Sequence, residues 1–211
     1  MRRPLAAAVV LAASLALTGC GSPQPEQQAP APADTPTAQE QSPADDTAAA
    51  VDHNDDDVRF MQMMIEHHEG ALEMSELALE QTDDQEVRDL AQRIHDAQGP
   101  EIEQMTAWLE ERDQPTDAPT DGHEMGHMDH ETMQMNGLTQ EEVMAMLTDL
   151  DGAEFDQQFL ESMIAHHRGA VVMSADVQQN GQNEETDALA QQIIDTQEAE
   201  MREMEQLEDR Y

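Results

Sequence analysis

The sequence predicts an all-α fold, an antiparallel four-helix bundle made of two tandem helical hairpins, and three observations predict it. Apolar residues recur at steps of three and four, the pattern of a buried stripe on a helix. The chain matches itself when shifted by 99 positions. A polar break divides each copy into two stretches of about twenty residues, long enough for a bundle helix.

In the first stretch Phe60, Met64, His67, Ala71 and Met74 form the stripe, while Glu66, Glu69, Glu73 and Glu76 lie mostly away from it. Beyond the break Gln81-Thr82-Asp83-Asp84, a second stripe runs through Val87, Leu90, Ile94, Ala97, Ile102, Met105 and Leu109. The shift lays MIEHHEGALEM, residues 64–74, over MIAHHRGAVVM, residues 163–173, with seven of eleven residues identical. The register continues without a gap: Asp57 falls on Asp156, Phe60 on Phe159, Ser75 on Ser174, Gln98 on Gln197, Glu101 on Glu200 and Met105 on Met204. Chance does not hold one register that long. The second copy breaks at Gln179-Asn180-Gly181-Gln182-Asn183. Striped hairpins can cover one another, which makes the bundle the economical architecture.

Repeat 1 is thus expected at 57–112, a connection at 113–155 and repeat 2 at 156–211. In the connection, Leu138-Thr139-Gln140-Glu141-Glu142 predicts a short extra helix with Thr139 as cap and Glu142 completing a capping box. Gly70 and Gly169 interrupt good helices at a cost of about 0.5–1 kcal/mol each, and bare the helix surface beside the histidines for close packing or for a ligand.

The N-terminus reads as an address. Arg2 and Arg3, an apolar run from Leu5 to Leu17 and then Leu17-Thr18-Gly19-Cys20 form a lipoprotein signal peptide over 1–20. Its lipobox places the single cysteine, Cys20, as the lipidation site, so the mature protein is expected on the cell membrane, lipid-anchored at the extracytoplasmic face. Residues 21–56, rich in Pro, Ala, Gln, Thr and Asp, bury too little to fold and read as a disordered tether.

The formal charge is -38, with nine arginines and no lysine against 47 acids. Nucleic acid is excluded as a partner on that balance. An acidic surface attracts cations but by itself is only a solvated face, and it does not name a ligand.

The residues that can carry chemistry are sulfur and imidazole. Met64, His67, His68 and Met74 lie on adjoining parts of one helix face, and Met163, His166, His167 and Met173 repeat them. Adjacent histidines stand about 100° apart around the axis, so one of each pair is expected in the bundle seam and the other on its shoulder. A methionine stripe alone is ordinary core; imidazoles in that stripe need partners for their ring nitrogens, and recurrence in both copies favours metal ligation. Met105 and Met204, aligned by the repeat, and His95, which has Ile194 opposite it, extend the set.

A second, looser site is expected in the connection. DGHEMGHMDHETMQMNG, residues 121–137, holds His123, Met125, His127, Met128, His130, Met133 and Met135 with no apolar residue other than methionine. No core is packed by such a segment, which reads as metal-binding and flexible until loaded. Thioethers select soft ions, so copper is the expected ligand, Cu(I) before Cu(II), with silver as a mimic. A di-iron enzyme would place Glu-x-x-His on bundle helices, but the motif occurs only at Glu124 to His127 in the connection. No nucleophile elbow or phosphate loop is present, and the chain is not expected to be an enzyme.

These residues resemble the bacterial domain of unknown function 305 family. The resemblance rests on Met-Ile-x-His-His-x-Gly-Ala followed by methionine in both copies. It rests also on the run Ile-x-x-x-Gln-x-x-Glu-Ile-x-x-Met-x-x-Trp-Leu from Ile94 to Leu109, and on Gly152-Ala153-Glu154-Phe155-Asp156 opening the second copy. It covers residues 57–211. The resemblance implies a ferritin-like four-helix fold and, from some members, extracytoplasmic copper binding through His67, His68, Met64, Met74, His166, His167, Met163 and Met173. The second copy departs at Ile194 and at Leu207, opposite Trp108, so a site that needs His95 exists once.

The expectation is therefore a lipid-anchored copper-binding protein for sequestration or handover of copper ions, its tether long enough to reach an envelope protein partner. The contrasting expectation is a metal-independent helical interaction module at the cell envelope, with methionine as adaptable packing.

Overall fold

The computed structural model describes residues 52–117 and 135–211. Among them are five helices: α1 (Asp55–Gln81), α2 (Gln85–Glu111), α3 (Gln140–Thr148), α4 (Gly152–Asn180) and α5 (Glu184–Glu208). The long four form the two expected hairpins, α1 with α2 and α4 with α5, and α1 packs on α4 to join them. No described helix is long and apolar enough to cross a membrane. Cys20, the signal peptide and tether, and His123, Met125, His127, Met128, His130 and Met133 lie outside the described residues.

Local chemistry sets the helix starts. Asn54 caps α1 by accepting from the backbone N–H of Asp56 and Asp57, both at 3.0 Å, while the Asp57 carboxylate accepts from Asn54 N at 2.9 Å, a capping box. Asp84 caps α2, and Asn183 caps α5 through the Thr186 N–H at 2.9 Å. The expected box of Thr139 with Glu142 opens α3. α3 lies against α1 and α4, where Gln140 donates to the Gly70 carbonyl at 3.0 Å. A Cβ on Gly70 would stand 2.9 Å from the Gln140 side chain, so this glycine serves close packing.

The hairpins clasp each other reciprocally. Buried Asp57, at the start of α1, accepts from Gln182 N at 3.0 Å and Asn183 N at 3.3 Å in the α4–α5 turn. Its repeat mate Asp156, at the start of α4, accepts from the hydroxyls of Thr82, in the α1–α2 turn, and of Tyr211. The head of α1 thus meets the tail of α4 and the reverse, which makes the two helices antiparallel. Asp57→Ala strands three backbone donors, two of them in the turn that starts α5, and a loss of about 2–3 kcal/mol is expected in chemical denaturation.

The interior divides into two apolar cores. One gathers Phe60, Met61, Met63 and Met64 of α1 with Met105 and Trp108 of α2, Met173 of α4 and Ile193 of α5. The other gathers Met74 and Ala78 with Leu90, Phe155, Phe159, Met163 and Met204. Residues 67–68 of α1 and 166–167 of α4 fall between them.

Two expectations need correction. Met135 belongs by composition to the loose metal-binding segment, but it is 3 % exposed in the second core, its backbone bridged to Leu138 in both directions at 2.9 and 3.1 Å; a tight turn at Asn136 and Gly137, both with positive φ, folds it inward. In α2 the buried face runs through Gln98 and Glu101, leaving Ala97 and Ile102 only half-buried. Glu101 holds its interior place through partners there, His68 and Gln192.

Candidate metal centre

All four paired histidines are buried, which corrects the expectation of one on a shoulder. The 100° between neighbours points them into two different seams instead. His67 faces α4 and stacks on His166, with ring centroids 3.6 Å apart and planes tilted 38°. His68 faces α2, and its Nε2 donates to Glu101 Oε2 at 2.8 Å; His167 repeats this with Glu200 Oε2 on α5, also at 2.8 Å. The internal duplication becomes a pseudo-twofold site whose axis passes between His67 and His166.

These carboxylates define the tautomer. A ring that donates from Nε2 to a carboxylate holds, when neutral, its lone pair on Nδ1. The Nδ1 atoms of His67, His68, His166 and His167 are all buried without a hydrogen-bond partner. The same is true of both amide atoms of Gln98 and of Gln197 Oε1. Buried polar atoms are nearly always satisfied, so repeated orphaned imidazole nitrogens mark a layer whose partner is something other than protein.

Burial, and then the charge of the neighbouring histidines, holds His67 and His166 well below the usual histidine pKa of 6.5. Both rings are therefore neutral at pH 7 and free to act as ligands or to stack. In the unfolded chain they take up protons as pH falls through 6.5, whereas in the folded chain they do not, so protons favour unfolding. Apo-protein stability is expected to drop below pH 6.5, by about 1.4 kcal/mol per pH unit for each of the two rings once both titrate in the unfolded state. Urea midpoints from pH 7.5 to 5, compared with a His67→Leu/His166→Leu variant lacking that component, measure it.

The methionines flank this layer. Met64, Met105 and Met173 share the core on one side, and Met163, Met204 and Met74 share the other, all fully buried. Each core thus joins thioethers from both repeats. His95 is not brought to the layer: half-exposed, it lies 3.6 Å from Glu76 and from Asp96. Among the described residues no three His, Cys, Asp or Glu side chains are gathered to hold a metal ion by themselves. The sequence pattern does not place Glu101 and Glu200 in the site, although the repeat aligns them with each other and one turn after Gln98 and Gln197.

Fold and site together define a duplicated helical-hairpin bundle with a buried histidine layer between two methionine-bearing cores. The chain belongs to the family described as domain of unknown function (DUF305), which matches residues 57–208. No curated protein matches it significantly. Among solved structures it is similar to a DUF305 fragment from Deinococcus radiodurans, at 33% identity and TM-score 0.66, covering 76% of this chain and 100% of that one. A DUF305 protein of Streptomyces coelicolor, inferred to be secreted, is 31% identical with TM-score 0.61, over 72% of this chain and 89% of its own. CopM in a Cu(I)-bound form is 29% identical with TM-score 0.59, over 73% and 96%; CopM structures also exist with Cu(II), with silver and without metal.

Proposed function

We propose that this protein is an extracytoplasmic, lipid-anchored copper-binding protein that takes Cu(I) as cargo for sequestration or handover, and that it is not an enzyme. The observation that carries the reading is the set of four buried, unpartnered imidazole Nδ1 atoms. Glu101 and Glu200 hold two of these rings from behind, as the outer carboxylates of metal-binding histidines do. Among the described residues no N/O cluster suffices alone, so an ion held by these rings draws on the thioethers beside them, and thioether with imidazole suits Cu(I) and silver. The copper- and silver-bound forms of CopM support the same chemistry in a relative. Anchoring rests on the lipobox at Cys20 and agrees with the secreted designation of the Streptomyces relative.

The test is a Cu(I) titration against a competing chelator, using chain that begins at Cys20 and the same chain with His67, His68, His166 and His167 replaced by leucine. The bundle is expected to retain copper that the variant loses. Equal retention by the two would move binding to residues 123–133, and no retention by either would favour a metal-independent interaction module.

A further inference from the structure

The predicted ligand set leaves two buried methionines unexplained, Met61 and Met63. Met61 lines a surface groove of about 280 Å³ at one end of the bundle, together with Gln104, Ala107, Trp108, Glu111 and Glu185. From there Met61, Met64 and His68 descend one face of α1 at steps of three and four, while Trp108, Met105 and Glu101 descend α2 beside them. Met61, Met64, Met105 and Trp108 belong to one core, and Glu101 holds His68. The groove is therefore linked to the histidine layer by a thioether at each helical turn, over about 10 Å of axis from Met61 to His68.

The mouth suits a cation. The Arg112 guanidinium already lies over the Trp108 ring, 4.2 Å from its centroid. Asp52, Glu111 and Glu185 surround that single positive charge, at 3.1, 3.9 and 2.9 Å. Three carboxylates around one guanidinium leave a negative excess at the opening. The repeat-related end also sets a guanidinium, Arg210, among carboxylates, Asp84 and Glu86, but it lacks the sulfur and the indole: at the 99-residue offset Leu160 stands for Met61 and Leu207 for Trp108. Leucine meets the packing need at the equivalent buried position, so sulfur at position 61 is not explained by volume.

We infer that this groove is a vestibule for Cu(I), in which Met61 is the first thioether to take the ion and pass it by ligand exchange through Met64 and Met105 toward His68. This rests on the copper reading above. No oxidation is involved: one Cu–S bond forms as another breaks, and the ion keeps its charge.

The test uses Met61→Leu, a residue the fold already accepts at the repeat-related site, with Met63→Leu as a control in the same core but outside the groove. Both are made in mature chain whose linker His and Met at 123–133 are serine, so that only the bundle takes metal. Cu(I) is supplied anaerobically as its acetonitrile complex, loading is sampled by timed chelator quench, and fluorescence of Trp108, the single tryptophan, is followed in parallel. Loading of Met61→Leu is expected to slow about tenfold while chelator competition at equilibrium stays within about twofold of wild type, since a soft relay ligand sets rate rather than final occupancy. Trp108 quenching is expected to precede loading in wild type and to weaken in the variant. Loading of Met61→Leu at the wild-type rate would overturn the vestibule, as would an equal slowing by Met63→Leu. A loss of equilibrium affinity matching the loss of rate would make Met61 a ligand of the resting site instead. Wild-type bundle that retains no Cu(I) would defeat the copper reading itself, and the vestibule with it.

Discussion

Converting Glu101 and Glu200 together to leucine is expected to weaken Cu(I) retention by the bundle by about ten- to a hundredfold, the usual consequence of removing the groups that orient a metal-binding histidine. Each carboxylate fixes the proton of its histidine on Nε2 and aims Nδ1 inward. Without it the ring can rotate and change tautomer. The Glu101 side chain also accepts from Gln192 Nε2 at 2.9 Å, a contact between α2 and α5. A Glu→Gln pair keeps an acceptor oxygen while removing charge, and should fall between wild type and leucine. Chelator competition measures retention, and helical circular dichroism of each apo variant confirms that the bundle persists. Unchanged retention in the folded leucine variant would remove these carboxylates from the site.

The second large effect has the opposite sign for stability. His67→Leu with His166→Leu is expected to make the apo-protein more stable by about 2 kcal/mol. A buried polar atom without a partner costs about 1–3 kcal/mol, and an apolar residue of similar volume removes that cost. The same variant should lose the thermal stabilisation that Cu(I) confers on wild type, because binding stabilises only the state that holds the ligand. Denaturant melts of apo-protein, repeated with Cu(I), read both quantities. An apo variant less stable than wild type would show that the stacked imidazoles are ordinary core.

Much of this was legible in the sequence because it is periodic. The 99-residue offset, the stripes through Phe60, Met64 and Met74, and the cap at Thr139 each rest on local rules, and the helices stand where those rules place them. What stayed hidden depends on distance along the chain. Glu101 lies 33 residues from His68, and a glutamate in an acidic chain reads as surface until its partner's position is known; its signal was its registration with Glu200 inside an otherwise apolar stripe. The direction of His67 against His68 was likewise open, since a 100° step separates two faces without saying that both are covered. Met135 misled for the converse reason: its composition belongs to the His/Met segment, while the turn at Asn136 and Gly137 commits it to the core. His95 fits the helical pattern but meets only surface carboxylates.

The mutual clasp of Asp57 and Asp156 has a wider meaning. Each half of the chain supplies the anchor that the other half's turn lacks, and each contributes one imidazole to the stack at the axis. A polypeptide encoding one hairpin alone would find all of this in a twin of itself, as an isologous homodimer. Joining two such genes end to end keeps that interior and frees the halves to diverge, and the Met61/Leu160 and Trp108/Leu207 pairs record how far they have gone.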